Sequence, residues 1–151
     1  NNPLGDKIRE IGHEYGTVTK RPRRVGYLDL VVVKQMLEMS GATDIALMLF
    51  DVLIGISPLK VCYAYNLDGK KIDYIPASIN EYSRCKPIYK TFKPYKFNAK
   101  KIKSRTDLPK EALDYIKFIE KTTMVPVSII SLSPDRKDTL ISPKFATKVK
   151  K

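Results

Sequence analysis

At 151 residues and 17.2 kDa the chain has the size of one domain, and a hydrophobic fraction of 43% is enough for a core. Its formal charge of +12 favours anionic ligands such as nucleotides, phosphorylated substrates or nucleic acid. No apolar run approaches the roughly 20 residues of a membrane span, and no basic stretch followed by an apolar one opens the chain as a signal peptide would. One histidine and two cysteines outside any Cys-x-x-Cys pair are too few for a zinc site, and no internal repeat is present. Cys62 and Cys85 read as reduced thiols of a cytosolic protein, the first in a strand and the second in a loop. A first residue of Asn1 implies that the chain begins inside a longer gene product.

In chain order, residues 1–16 are mixed, broken by Gly5, Gly12 and Gly16, and His13 has no visible chemical partner. Residues 17–26 form a basic loop, which Pro22 keeps extended by pushing Arg21 out of helical geometry. Leu28, Val32, Met36 and Met39 predict a helix over 28–39, and the apolar run Ile45–Phe50 predicts a strand buried on both faces. Lys60–Tyr65 and Lys71–Ile75 read as strands of a hairpin closed at Asp68-Gly69, where both residues tolerate positive φ. Ser78-Ile-Asn-Glu81 has the form of a capping box opening a short helix. Residues 86–105 carry eight basic residues and no acid, and read as a loop. Pro109 suits a first helical position, with Ala112, Tyr115, Ile116 and Ile119 as the apolar face of a helix over 109–122. Val127–Ser131 is a short buried strand that ends in the turn Ser133-Pro134-Asp135. The pattern predicts an α/β fold, part of a larger mixed sheet covered by helices, with one β-hairpin. Lysine outnumbers arginine 21 to 7, and specific forks on phosphate or carboxylate favour arginine, so the lysine run and the tail from Lys144 read as solvated surface.

Four segments carry a sharper signal: Gly16-Thr-Val-Thr-Lys-Arg-Pro-Arg-Arg-Val-Gly-Tyr-Leu-Asp29; Leu47-Met-Leu-Phe-Asp-Val-Leu53; Val61-Cys-Tyr-Ala-Tyr65 with Asp68-Gly-Lys70 and Pro76-Ala-Ser78; and Val125-Pro-Val-Ser-Ile-Ile-Ser-Leu-Ser-Pro-Asp-Arg136. In order and spacing they resemble the C-terminal portion of the adenylosuccinate synthetases, over nearly the whole of residues 1–151. The resemblance implies a cytoplasmic, homodimeric ligase of AMP biosynthesis. Such a ligase joins L-aspartate to inosine monophosphate (IMP) with GTP as co-substrate and Mg2+ as cofactor. It also implies that the Gly-rich phosphate loop, the catalytic residues and the metal ligands lie in the family's N-terminal part. The present segment is therefore expected to bind substrates and to be inactive alone, with no membrane or nucleic-acid partner.

By the same resemblance, Thr17, Val18, Thr19, Lys20, Arg21, Pro22 and Arg23 form the aspartate-binding loop, Arg21 also reaches IMP, and Arg23 faces GTP. The chemistry suits this assignment, because a guanidinium grips a carboxylate with two parallel charge-assisted hydrogen bonds. Leu49, Phe50 and Asp51 form the guanine-reading segment, and Ser131, Leu132 and Ser133 close over the base. Asp51 has two oxygens for the ring N–H and the exocyclic amine of guanine, a donor pair that adenine lacks. It follows a strand, at the carboxyl end where α/β proteins place ligand sites. The family pattern often has Thr at Val18, Gly at Lys20, Lys at Leu49, Gly at Ser133 and Gly-Trp at Pro94-Tyr95.

Two other classes compete. A basic nucleic-acid-binding module would use the lysine run with Tyr89, Phe92, Tyr95 and Phe97 as stacking platforms, and its affinity would fall steeply with salt. A degenerate, non-catalytic relative would explain Leu49 and Ser133, although Thr19, Arg21, Arg23 and Asp51 are intact.

Overall fold

The computed structural model describes residues 2–149. Its elements are α1 (Pro3–Ile11), β1 (Leu28–Asp29), α2 (Leu30–Ser40), β2 (Ile45–Leu47), β3 (Leu59–Leu67), β4 (Lys70–Ile72), α3 (Ile79–Arg84), β5 (Lys86–Phe92), α4 (Lys110–Thr123), β6 (Val127–Ser131), β7 (Thr139–Ile141) and α5 (Pro143–Val149). A 3-10 turn over Phe50–Leu53 follows β2. The α/β expectation is met by two mixed sheets with packed helices. In one, β3 pairs antiparallel with β5 along Leu59–Asn66, parallel with β1 at Val61–Cys62, and antiparallel with β4 at Tyr65–Leu67. In the other, β6 lies between β2, parallel to it, and β7, antiparallel to it.

The sequence accounts for the main joints. Ala112, Tyr115, Ile116 and Ile119 recur at helical spacing and are buried, so α4 presents one apolar stripe to Phe50, Val61, Tyr95 and Leu132. Asp29 ends β1 and caps α2, accepting from the amides of Val31 (3.0 Å) and Val32 (3.3 Å), while its second oxygen accepts from Tyr65 Oη at 2.6 Å. One carboxylate thus ties the start of α2 to β3. Glu120 on α4 makes a two-point fork with Arg105 (2.6 and 2.8 Å) and accepts from the Val127 amide at 2.9 Å, fixing α4 to the start of β6. Burial works to raise the Glu120 carboxyl, and these donors outweigh it, leaving it below the ordinary range.

Several expectations change. The hairpin forms at Asp68-Gly69 (φ 51° and 90°), but β4 ends at Ile72 instead of reaching Ile75. The helix expected from residue 28 starts at Leu30, because Asp29 is its cap, and Pro109 stands before the first turn of α4 instead of inside it. The strand expected over Ile45–Phe50 stops at Leu47 and is not buried on both faces: Ala46 is exposed, with Ile45 and Leu47 half-buried. Helices α2 and α4 pack on each other and form one covering layer, so nothing among the described residues covers Ala46. The lysine-rich stretch is no loop at its start, for β5 occupies Lys86–Phe92. Residues 3–11 form a helix, capped by Asn2 Oδ1 on the Gly5 amide at 2.8 Å with Pro3 in its first turn. β7 and α5 are further elements that periodicity did not signal.

Candidate substrate-binding site

The basic loop is a closed turn. Tyr15 and Pro22 form a β-bridge, the Gly16 amide donates to the Arg21 carbonyl at 2.8 Å, and the Lys20 amide donates to the Gly16 carbonyl at 2.9 Å. A Cβ at Gly16 would stand 2.8 Å from Thr19 Oγ1, so any larger residue there would have to displace the Thr19 hydroxyl. Lys20 has φ 55°, left-handed geometry that favours the glycine of the family pattern. The turn leaves Thr17, Val18, Thr19, Lys20, Arg21, Pro22 and Arg23 exposed, with Val18 at 90%. Arg23 pairs with Glu14 at 3.1 Å, and its carbonyl accepts from Arg9 Nε at 2.9 Å, which fastens the loop to α1. The Arg21 guanidinium has no hydrogen-bond or ion-pair partner among the described residues. It stands exposed with all its donors open to a carboxylate.

The second cluster follows from strand direction. Because β2 and β6 run parallel, the segments leaving their carboxyl ends start side by side: Met48–Asp51 from β2 and Leu132–Ser133 from β6. Leu49, with φ 55° and 47% exposure, turns the chain sharply into the 3-10 turn. Phe50 then drops into the core at 0% exposure and stacks on Tyr95 at 4.8 Å between ring centroids, while Tyr95 Oη donates to the Phe50 carbonyl at 3.0 Å. Burial first, then the Tyr115 and Asp51 neighbours, push the Tyr95 hydroxyl well above its usual range, so it remains a donor. The next residue, Asp51, is held by this anchor. Its Oδ1 is buried and has no hydrogen-bond partner. A buried acceptor left unpaired is unfavourable, and most such groups in folded proteins are satisfied.

On the β6 side, Ser131 and Leu132 are buried. Ser131 Oγ donates to the Ser133 carbonyl at 3.1 Å. Ser133 Oγ donates to Asp138 Oδ2 at 2.7 Å and accepts from the Asp135 amide at 3.0 Å, so this hydroxyl stitches the turn. The sequence marks Tyr95 only as a stacking platform of the nucleic-acid alternative and as a departure from the family pattern, not as a core anchor, and it does not mark Asp138. An aromatic inside a lysine run was the one signal for the first, and the second carried none.

A cleft of about 380 Å³ brings the two clusters near each other, lined by Arg24, Tyr27 and Leu28 on one side and by Leu47, Leu49 and Val52 on the other. Arg21 and Asp51 do not line it. Helix α1, which carries the loop, packs against the 3-10 turn that holds Asp51. Among the described residues no three His, Cys, Asp or Glu side chains gather where they could hold a metal ion. No described helix is long and apolar enough to cross a membrane. Phe92 (9% exposed) and Tyr95 (1%) are core residues, which removes two of the four aromatic platforms of the nucleic-acid reading.

The family model described as adenylosuccinate synthetase matches residues 1–140. The chain is 51% identical over 132 residues to an adenylosuccinate synthetase of Aquifex aeolicus, covering 87% of this chain and 31% of that protein. It is 48% identical over 136 residues to one of Ligilactobacillus salivarius, covering 90% and 32%. It also superposes on the fully ligated adenylosuccinate synthetase of Plasmodium falciparum with a TM-score of 0.86 at 32% identity, covering 94% of this chain and 34% of that one. The chain therefore spans about a third of the length of the relatives it matches. By the family model and by these relatives, the chain belongs to the adenylosuccinate synthetase family.

Proposed function

We propose that this segment is the C-terminal, substrate-binding portion of a GTP-dependent ligase that forms adenylosuccinate from IMP and L-aspartate. In that reaction the γ-phosphoryl of GTP passes to the 6-oxygen of IMP. The aspartate amine then attacks C6, and phosphate leaves with that oxygen. The observation that supports the reading is the buried, unpartnered Oδ1 of Asp51, an acceptor that a guanine donor would satisfy. The open guanidinium of Arg21 supports the second half: it forks one carboxylate of aspartate and reaches toward IMP, while Thr17, Thr19 and loop amides take the remaining oxygens. Arg23, already paired with Glu14, faces the GTP phosphates. Phe50 and Leu49 shape the guanine side, and Ser131–Ser133 lie over the base through their backbone. Magnesium ligands, the phosphate loop and the catalytic residues belong to the rest of the polypeptide. The segment alone is inactive, and the whole enzyme is a cytoplasmic homodimer.

The test is adenylosuccinate formation by the full-length gene product with IMP, aspartate, Mg2+ and either GTP or ATP. Product with GTP alone supports the reading. A folded but inactive protein refutes it and favours the non-catalytic relative.

A further inference from the structure

Asp51 stands in a 3-10 turn of four residues, Phe50–Leu53. The chain enters this turn through Leu49 at φ 55° and bends again just beyond it at Gly55, φ 70°. The Val52 amide donates to the Leu49 carbonyl at 3.2 Å, and the Ile54 amide donates to the Asp51 carbonyl at 3.0 Å. Hydrogen bonds of this kind have poorer geometry than those of an α-helix, and runs of them are short. A segment of this length has little rigidity of its own. To aim a carboxylate at a ligand it needs a hold from outside.

Tyr95 supplies that hold at both ends. Its Oη donates to the Phe50 carbonyl at 3.0 Å, and its own carbonyl accepts from the Gly55 amide at 3.0 Å. Its ring stacks on Phe50, and the Phe97 ring lies within stacking distance of both, 5.9 Å from Tyr95 and 6.0 Å from Phe50 between centroids. The bond to Phe50 bears most directly on Asp51. A peptide unit is planar, so pinning the Phe50 oxygen also fixes the plane that carries the Asp51 nitrogen and Cα. The root of the Asp51 side chain is thereby set by a hydroxyl 44 positions away in the chain. Tyr95 itself is 1% exposed, so it reaches a ligand only through this turn.

We propose that Tyr95 is a positioning residue for base recognition: by bonding Phe50 and Gly55 it holds the Asp51 carboxylate at the angle at which it meets the guanine edge. The inference rests on the reading of Asp51 as the guanine-binding side chain. It makes a specific kinetic demand. The base and the γ-phosphoryl lie at opposite ends of GTP, so a misaimed Asp51 weakens binding of the nucleotide and leaves the transfer step alone. That pattern is a raised KM with an unchanged kcat. A tyrosine that served packing alone would lower stability and leave the constants for the three substrates alike.

The experiment is steady-state kinetics of the full-length gene product and its Tyr95→Phe variant, varying GTP, IMP and aspartate in turn, with the melting temperature of each protein. Phenylalanine keeps the ring and the stack and removes only the hydroxyl. The variant is expected to show a KM for GTP raised roughly tenfold, with kcat and the other two KM values within about twofold of the parent. A second comparison repeats the substitution in an Asp51→Asn background. If Tyr95 acts through Asp51, the added effect on the KM for GTP shrinks to less than about twofold there. An unchanged KM for GTP in an active Tyr95→Phe enzyme overturns the positioning role and leaves the ligase reading standing. So does an undiminished tenfold effect in the Asp51→Asn background, or an equal rise in all three KM values. A folded parent with no ligase activity removes the ligase reading, and this role with it.

Discussion

Replacing Asp51 by Asn separates recognition from stability. In the folded segment Asp51 Oδ1 is buried without a partner, so this carboxylate oxygen contributes desolvation and no hydrogen bond. Asn keeps the shape, removes the charge and leaves one acceptor. Stability is therefore expected to stay within about 1 kcal/mol of the parent or to rise. Recognition moves the other way. A carboxylate facing the guanine ring N–H and amine makes two charge-assisted hydrogen bonds, each contributing about 1.5–3 kcal/mol. Asn turns one acceptor into a donor facing a donor, a loss of about 3 kcal/mol, which is on the order of a hundredfold in kcat/KM for GTP. Xanthosine triphosphate, with a carbonyl in place of the amine, presents the pattern that Asn matches, and is expected to be used better by the variant than GTP. The assay compares GTP, ATP and xanthosine triphosphate with the full-length protein, together with urea unfolding of parent and variant. An unchanged GTP preference at unchanged stability refutes Asp51 as the base reader. A stability loss well above 1 kcal/mol shows instead that Oδ1 serves the fold.

Four further outcomes follow from the same geometry. Arg21→Ala removes an open guanidinium of the loop and is expected to raise the KM for aspartate at least tenfold, about 1.4 kcal/mol, with the melting temperature unchanged; an unaltered aspartate titration ends that assignment. Lys20→Gly relieves a left-handed backbone at φ 55° and is expected to raise unfolding stability by up to about 1 kcal/mol, measured by urea denaturation. Cys62 is buried, and burial with the nearby Asp29 charge pushes its thiol up to about 11, so in a native thiol titration at pH 8 Cys85 reacts first and Cys62 waits for unfolding. Asp44, accepting from Ser128, Lys148 and Thr43, is held at about 2, below its unfolded value. Its contribution to stability is present above pH ~4 and is lost as pH falls toward 2, and Asp44→Asn is expected to flatten that part of the urea midpoint profile.

Elements whose burial repeats with one period were readable: α4 by its stripe, the β3–β4 hairpin by Asp68-Gly69, and β6 by a short apolar run. β5 was not, because an edge strand places lysine and proline where a central strand has apolar residues, and this hides its alternation. Even so, Lys90 uses its length to lie over the Phe118 ring at 4.3 Å, so part of the lysine run covers apolar surface as well as meeting water. Helix α1 was masked by Gly5 within it, and its cap at Asn2 reads as a cap only once the helix is known.

The candidate site shows a sharper division. The two proposed ligand-binding side chains, Arg21 and Asp51, were visible as parts of motifs, whereas the groups that hold them were not. Tyr95 stands 45 residues from the carbonyl it anchors, and no local pattern connects them. The left-handed geometry at Lys20 and Leu49 was equally hidden, since neither residue type announces it. Yet both positions lie inside the two proposed binding segments, and strained backbone persists only where surrounding structure enforces it. For Lys20 the enforcement is the bridge from Tyr15 to Pro22, and for Leu49 it is Phe50 locked under Tyr95. The side chain of Leu49 is then free to face the cleft, where an apolar group suits the walls better than the lysine of the family pattern. At both departures the local fold enforces a left-handed backbone whatever the side chain, so a ligand that met these segments through main-chain groups would tolerate the change of residue.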